Sequence, residues 1–350
     1  MAGYSVAVIG TGAAPGGSED TGHAMGYRHA GAYERLHNCS LVACADLDGG
    51  NAKRFASEFG IEETRAYTDH REMLREEDLD VVSVTTPIPT HASIVLDCAT
   101  EGDLRAIHCE KPMANTWFDA MQMAQACSRR DIQLTINHQL RRSEPARIAM
   151  ELIQDGTIGE IRRVEASRRD LFEAGIHQLD LCSYFTGDVP VSWVIGAIDY
   201  REEEWRNGVH IEGQALGHWE YENGVHGLVS TGPGANAIGA LNRVVGTAGE
   251  IEVDFWGEEP LRVRHSGEPW EPVECAYGQP LENAIAHSIE CLDDGTEPLI
   301  SARRTLIGTE LAFGIYESAR RRGRVDFPLD VGENPLLAMI ESGDLELASG

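Results

Sequence analysis

The chain has 350 residues, 42% of them hydrophobic, a length that suits two domains with sizeable cores. Its 57 acidic and 29 basic residues give a formal net charge of −28, which argues against nucleic acid or an anionic membrane surface as a partner. No apolar stretch predicts a membrane span and no signal peptide is visible, so we expect a cytoplasmic protein.

The first part of the chain alternates between short apolar segments and helical patterns. The predicted strands are residues 5–10, 40–46, 80–86, 105–110 and 132–137, and the predicted helices between them are residues 24–36, 51–59, 69–76, 91–101 and 116–130. This alternation predicts a parallel sheet with helices on both faces, which is a doubly wound Rossmann α/β domain over residues 1–140.

The second part of the chain has a different sequence pattern. Apolar segments joined by tight-turn residues predict a large, mostly antiparallel open sheet, and thus an α+β domain over residues 141–330. The helices predicted in this part are residues 143–156, 177–187, 280–294 and 302–321. Residues 331–350 are expected to form an acidic tail.

A glycine-rich loop follows the first strand. Gly10 and Gly12 match the start of a G-x-G-x-x-G dinucleotide fingerprint, but Pro15 occupies the third glycine's position. Asp46 ends the second strand, and the usual interval of about twenty residues back from that acid reaches Gly26. Gly26 is therefore the predicted third glycine, in a loop that is eleven residues longer than usual.

The cofactor prediction depends on Asp46. A carboxylate at this position accepts hydrogen bonds from the ribose hydroxyls and repels a 2′-phosphate, which favours NAD over NADP. Lys53 and Arg54 lie close enough to keep NADP as the less favoured alternative. Glu19 and Asp20 would repel phosphate, so we expect the inserted segment to loop outward, over the cofactor's edge or toward a neighbouring subunit.

The eight cysteines include no CxxC pair, so free thiols are expected and no metal site is predicted. Lys53 and Lys111 are the only lysines. This acidic, lysine-poor composition suits a high-salt cytoplasm, and a genome that favours arginine codons explains it equally well. In both cases, a lysine at the end of a predicted strand is informative.

The motif HCEKPMANT at residues 108–116 indicates a family. Together with the glycine loop it resembles the Gfo/Idh/MocA oxidoreductases, and further matching segments follow in the expected order. They are TTPIPTHASIVLDCATEG (85–102), AGIHQLDLCSYFTG (174–187), GTAGEIEVD (246–254) and IYESARRRGRVDFPL (315–329).

The resemblance implies an NAD- or NADP-dependent oxidoreductase that acts on pyranoses, cyclitols or related polyols. It implies a catalytic lysine at Lys111, and an acid and a histidine four residues apart at Glu173 and His177. Aspartate is more usual than glutamate in the family, so Asp170 or Asp180 is an alternative for the acid. The family also implies a homodimer or homotetramer assembled through the C-terminal sheet.

Elementary chemistry supports these roles. Oxidation of a secondary alcohol needs a base for the hydroxyl proton, and histidine titrates in the suitable range. A cation such as Lys111 stabilises the developing alkoxide, and Pro112 stiffens the turn that carries it. A carboxylate one helical turn before His177 would orient its imidazole. Glu110 is expected to position Lys111 or the nicotinamide ribose, with a structural salt bridge as an equal alternative.

Other residues are assigned by their position along the chain. Thr86 ends the predicted strand 80–86, and Pro87 and His91 follow it. The resemblance implies that these three residues line the cofactor, with a helix-capping turn as the alternative. Several polar residues follow the last strand of the first domain, and Arg142 is selected among them as a substrate contact. The others are Asn137, His138 and Arg141.

Trp193, Trp205 and Trp219 are assigned to a sheet core or an oligomer face in preference to a sugar pocket. Two other functions remain open on the same fold. One is a glycosidase or lyase that uses bound NAD transiently, and the other is a non-catalytic sugar or NAD sensor.

Overall fold

The structure, a computed structural model, describes residues 3–15 and 24–345. The chain divides into two compact units, each with one large β-sheet. The first unit comprises residues 1–114, 119–139 and 281–302, and the second comprises residues 115–118, 140–280 and 303–350. Within the described ranges, no helix is long and apolar enough to cross a membrane.

Strands and helices alternate through the first 136 residues. In chain order the elements are β1 (Tyr4–Ile9), α1 (Met25–Glu34), β2 (Cys39–Ala45), α2 (Gly49–Glu58), β3 (Ala66–Tyr67), α3 (His70–Glu76), β4 (Val81–Val84), α4 (His91–Glu101), β5 (Ala106–Cys109), α5 (Trp117–Arg129) and β6 (Gln133–Ile136). The strands form a parallel sheet in the order β3-β2-β1-β4-β5-β6, so the predicted Rossmann domain is confirmed.

This strand order reverses direction between β1 and β4. Ligands of doubly wound sheets bind at such a switch point, outside the carboxyl ends of the strands. All four residues of β4 and all four of β5 are buried, as expected of strands covered on both faces. The residues after β1, β4 and β5 are therefore placed together at the binding edge.

The remaining elements belong mainly to the second unit. They are α6 (Glu144–Gln154), β7 (Ile161–Arg168), α7 (Ile176–Phe185), β8 (Val191–Asp199), β9 (Glu204–Arg206), β10 (Val209–Ile211), β11 (Gln214–Tyr221), β12 (His226–Thr231), β13 (Asn242–Gly246), β14 (Gly249–Val253), β15 (Leu261–His265), β16 (Glu271–Pro272), α8 (Pro280–Asp294), α9 (Ala302–Arg321), β17 (Val325–Asp326) and α10 (Pro335–Ser342).

Nine of these strands form one sheet in the order β16-β15-β14-β13-β7-β12-β11-β8-β17. Neighbouring strands pair antiparallel, apart from β7 and β12, which are parallel. This confirms the predicted open, mostly antiparallel sheet of an α+β fold.

The late part of the chain differs from the expected domain boundaries. Helix α8 joins the first unit, because Leu281, Ile285 and Ile289 pack in one apolar cluster with Tyr4 and Tyr33. The expected tail contains helix α10, which buries Leu336 and Met339 and whose first turn is capped by Asn334. Residues 346–350 lie outside the described part of the chain.

The two faces of the nine-stranded sheet differ. Gly196 and Gly217 lie against Ile315 of α9, where an added Cβ would come within 2.8 and 2.9 Å of that side chain. Side chains alternate between the faces of a strand, so neighbouring residues point the other way. On that opposite face, Ile195 and Leu216 are 48% and 50% exposed.

Candidate active site

The glycine loop after β1 has the backbone geometry of a phosphate-binding turn. Gly10 and Gly12 have φ values of 89° and 68°, in the region that favours glycine. An added Cβ on Gly10 would lie 2.8 Å from the backbone nitrogen of Thr86. A Cβ on Gly26 would lie 2.8 Å from the carbonyl oxygen of Thr11, so Gly26 allows α1 to pack closely against the loop.

The start of α1 has the properties of an anion-binding site. Its N-cap residue, Ala24, offers no side-chain acceptor, and its first turn contains no acidic residue. The first N–H groups of a helix carry partial positive charge and bind phosphate. A Cβ at Gly12 would meet nothing within 4 Å among the described residues, so there is room beside the loop. These features fit the pyrophosphate of a dinucleotide.

The inserted segment carries one prediction that the structure does not address. Residues 16–23, with Glu19 and Asp20, lie outside the described part of the chain. Their outward course stays a prediction.

Asp46 follows β2 and joins that strand to the glycine loop. Its Oδ2 accepts hydrogen bonds from the backbone N–H of Gly12 (2.8 Å) and the hydroxyl of Thr11 (3.1 Å). Its Oδ1 accepts the N–H of Asp48 at 2.9 Å. The side chain is half-buried, so the carboxylate holds the loop in place and still reaches the surface where a ribose would lie.

Lys53 and Arg54, the two cations that leave NADP as an alternative cofactor, have partners near α2. Lys53 forms an ion pair with Glu63 at 2.7 Å, and Arg54 donates to Asn51. Asp48 caps α2 by accepting the N–H of Gly50 at 2.7 Å. The preference for NAD over NADP, which rests on the half-exposed carboxylate of Asp46, stays a prediction.

His91 connects two loops at the binding edge. The imidazole is completely buried, and its nitrogens lie 2.8 Å from the carbonyl oxygen of Thr86 and 2.9 Å from that of Pro112. Burial lowers the pKa of His91. Thr90 donates to the carbonyl of Pro87 at 2.7 Å, which closes the same turn. A role of His91 in cofactor binding is therefore indirect, through the loops that carry Thr86 and Pro112.

Lys111 leaves the carboxyl end of β5 next to a buried polar network. The carboxylate of Glu110 accepts the backbone N–H of Lys111 at 3.1 Å and the amide of Asn137 at 2.6 Å. His29 Nε2 lies 2.8 Å from the same carboxylate, and His29 Nδ1 lies 2.7 Å from the hydroxyl of Ser83. Because an ionised carboxylate only accepts, His29 donates from Nε2 to Glu110.

The network keeps Glu110 charged. Burial raises the pKa of this carboxyl. The hydrogen bond and charge of His29 and the hydrogen bond from Asn137 lower the pKa by more than burial raises it, so the pKa of Glu110 is about 2. His29 belongs to α1 and Ser83 to β4, and no sequence motif connects either residue to Glu110. Glu110 thus contacts the backbone of Lys111 from within a buried polar network, and its role in positioning Lys111 or the nicotinamide ribose stays a prediction.

In the second unit, a turn after β7 carries the predicted acid. Asp170 Oδ1 accepts the N–H of Glu173 at 2.8 Å. The Glu173 carboxylate receives Arg169 at 2.6 Å and Asn207 at 3.0 Å. Helix α7 begins at Ile176, so half-buried His177 lies in its first turn and Glu173 precedes the helix. Glu173 therefore lies four residues before His177, as expected, but it belongs to a turn that Asp170 closes and not to the helix.

Asp180, the other alternative acid, is part of a buried ion cluster. Arg141 contacts Asp180 at 2.7 Å and Asp188 at 2.8 Å, and Arg304 contacts Asp188 at 2.6 Å. Arg141 is 1% exposed, so this side chain is structural. Arg142, the predicted substrate contact, is the next residue and is half-buried.

A buried carboxyl that the sequence did not reveal supports the same turn. Glu212 accepts the backbone N–H of Leu171 and the hydroxyl of Tyr316, each at 2.6 Å. Burial raises the pKa of Glu212 to about 7. Glu212 therefore joins the turn after β7 to the long helix α9.

The three tryptophans occupy different surroundings. Trp219 is completely buried in the sheet core. Trp193 lies on the half-exposed face, where its indole N–H donates to Glu220 at 2.7 Å. Trp205 is 56% exposed and its ring packs against that of His210 at an angle of 43°.

Comparison with known proteins agrees with this geometry. The Gfo/Idh/MocA oxidoreductase family, described by its NAD-binding Rossmann fold, matches residues 4–138. D-apiose dehydrogenase of Paraburkholderia graminis is 27% identical over 90% of this chain and 90% of its own length. Bovine trans-1,2-dihydrobenzene-1,2-diol dehydrogenase is 26% identical over 83% of this chain and 90% of its own length.

A solved structure supports the fold over both units. An inositol dehydrogenase homologue from Azotobacter vinelandii, crystallised with NAD+, superposes with a TM-score of 0.77 at 21% identity, covering 93% of this chain and 98% of that chain. Over residues 4–138, the chain is thus similar to the Gfo/Idh/MocA family of oxidoreductases.

Proposed function

We propose that the protein is an NAD-dependent dehydrogenase that oxidises a secondary alcohol of a sugar, cyclitol or polyol. The observation that carries this proposal is the placement of Lys111 at the carboxyl end of β5, on the sheet edge that also carries the glycine loop and Asp46. The relatives named above act on apiose and on a cyclic diol, which supports a hydroxylated small-molecule substrate.

The residues of the first unit hold the cofactor and polarise the substrate. Gly10, Gly12 and Gly26 shape the pyrophosphate turn, and Asp46 receives the adenosine ribose. Bound NAD supplies the acceptor for the hydride. Lys111 donates hydrogen bonds to the reacting oxygen and stabilises the negative charge that develops there. The carboxylate of Glu110 fixes the backbone from which Lys111 extends.

The second unit contributes the acid–base group. His177 takes the hydroxyl proton as the alcohol becomes a carbonyl and returns it in the reverse direction. Glu173, held by Arg169 and Asn207, sets the electrostatic environment at the start of α7. Arg142 contacts substrate hydroxyls.

The first prediction concerns the two catalytic side chains. Lys111→Ala and His177→Ala should each lower kcat/KM by about a hundredfold or more, with NAD affinity retained. NADH formation is measured against a panel of aldoses, polyols and cyclitols, and NAD binding is measured by calorimetry. Lys53→Ala is the matched control, because it removes the other lysine of the chain, and its turnover should equal that of the wild type. Wild-type turnover in both active-site variants would contradict the mechanism.

We also propose that the protein is cytoplasmic and assembles as a homodimer or homotetramer through the half-exposed face of the nine-stranded sheet. Ile195 and Leu216 lie on the paired strands β8 and β11 of this face and are about half exposed. Apolar patches of this kind mark interfaces. A second copy of the same face would cover them with an equally apolar surface.

A further inference from the structure

Arg168 occupies a position that the catalytic assignments above do not use. It is the last residue of β7, and the turn that carries Glu173 begins directly after it. Strand β13 pairs with β7 and β14 pairs with β13, so the residues that follow β14 lie at the same end of the sheet. Trp256 belongs to that segment, and the Arg168 guanidinium lies 4.2 Å from the centre of its ring.

In the described part of the chain, no carboxylate pairs with the guanidinium of Arg168. Among the described residues, the Arg168 side chain forms neither a hydrogen bond nor an ion pair, and its Nε atom is buried. By contrast, Arg243 on the same sheet contacts both Glu165 and Glu252. Acidic residues outnumber basic ones by 57 to 29 in this chain, so an arginine left without an acid is unusual. A half-buried charge without a partner lowers stability unless something binds it.

The neighbouring acids already have partners. Asp170 and Glu173 both contact Arg169, at 3.2 and 2.6 Å. Asp254 accepts the backbone N–H of Trp256 at 3.4 Å. Burial and the charge of Arg169 lower the pKa of Arg168, and the charges of Asp170, Glu173 and Asp254 offset this lowering only in part.

Trp256 is held in place and remains accessible. The ring of Phe255 packs against it with centroids 5.9 Å apart, and 54% of Trp256 is exposed. An exposed indole beside a guanidinium offers an apolar surface and a planar set of donors to one small molecule. The planar donors match a carboxylate in two parallel hydrogen bonds.

We propose that Arg168, supported by Trp256, binds the carboxylate of a substrate that is a sugar acid or another carboxylated polyol. This assignment rests on the proposed dehydrogenase function and names its substrate class. It makes Arg168 a specificity-determining residue that lies next to the turn carrying Glu173.

The test measures ligand binding by calorimetry to the NAD-loaded protein. The probes are matched pairs that differ in one carboxylate, D-glucuronate with D-glucose and D-galacturonate with D-galactose, together with D-glucose 6-phosphate. In the wild type, at least one acid should bind more tightly than its neutral partner. Arg168→Gln should reduce that preference by about 10- to 100-fold, the range expected for hydrogen bonds to a charged group. Arg168→Lys should retain part of the wild-type preference for the acid.

Arg264→Gln is the control, because Arg264 also stacks on a tryptophan, Trp270, but is paired with Glu250. It should keep the wild-type preference, and thermal unfolding should show that all variants fold. Three outcomes overturn the proposal: no preference for either acid, an equal loss for acid and neutral sugar in Arg168→Gln, or an Arg168-dependent preference for the phosphate ester alone. The dehydrogenase proposal fails separately, when no probe yields NADH.

Discussion

Glu110 carries a negative charge in a buried position beside the backbone of Lys111. Its folded-state pKa of about 2 lies below its ordinary value of 4.5. A lowered carboxyl pKa stabilises the fold fully above about pH 4.5, and this contribution is lost as the pH falls from about 4.5 through about 2. His29 is the strongest contributor to that lowering, so the residue that maintains the charge lies on α1, far from Lys111 in sequence.

At the scale of single residues, the second prediction is that His29→Leu destabilises the protein at pH 7. The change leaves a buried carboxylate without one of its partners, and removing one member of a buried pair costs about 3 to 5 kcal/mol. The loss should shrink near pH 3, because Glu110 of the wild type also loses stabilisation there. Urea unfolding at both pH values measures the free energy of unfolding.

A matched control for this prediction is Lys53→Gln, which removes an ion pair whose side chains are 61% and 72% exposed. Exposed pairs contribute little, so this variant should unfold as the wild type does at both pH values. A His29→Leu variant whose loss of stability is independent of pH would show that Glu110 does not depend on His29.

At the scale of elements, the third prediction concerns the close packing of α1 against the glycine loop. Gly26→Ala places a Cβ within 2.8 Å of one backbone oxygen and 3.0 Å of another, and neither can rotate away. The helix must shift, so NAD affinity should fall about tenfold or more and stability by about 1 to 3 kcal/mol. Calorimetric titration with NAD and thermal unfolding measure the two effects.

The same helix provides the control. Gly31 lies inside α1, and a Cβ added there would meet no atom of another element within 4 Å among the described residues. Gly31→Ala should therefore raise stability by about 0.5 to 1 kcal/mol and leave NAD affinity unchanged. Wild-type NAD affinity in Gly26→Ala would remove Gly26 from the dinucleotide fingerprint and reopen the position of the third glycine.

At the scale of the whole molecule, the fourth prediction concerns assembly through the half-exposed face of the nine-stranded sheet. Ile195→Glu places a charge within the proposed interface, where an unpaired charge opposes association. Light scattering coupled to size-exclusion chromatography should give a multiple of the chain mass for the wild type and the single-chain mass for the variant. Leu47→Glu, at a residue that is 94% exposed in the first unit, should leave assembly unchanged. A wild-type monomer would exclude the proposed assembly.

Much of the fold was predictable because its signals are local. Strand and helix periodicity and the residues of the tight turns are all read over a few neighbouring positions. The prediction of Gly26 as the third glycine also rests on chain distance, counted back from Asp46 directly after β2. The motif around Lys111 likewise predicted that this residue lies at the end of a strand.

By itself, the sequence determined the two sheet types, the glycine loop, the acid after β2 and the lysine after β5. Only the tertiary structure decided that α8 joins the first unit, that His29 holds the charge of Glu110, and that Arg168 stacks on Trp256. These features join residues that lie far apart in the chain. A local pattern predicts what a segment becomes, whereas packing decides which distant side chains meet.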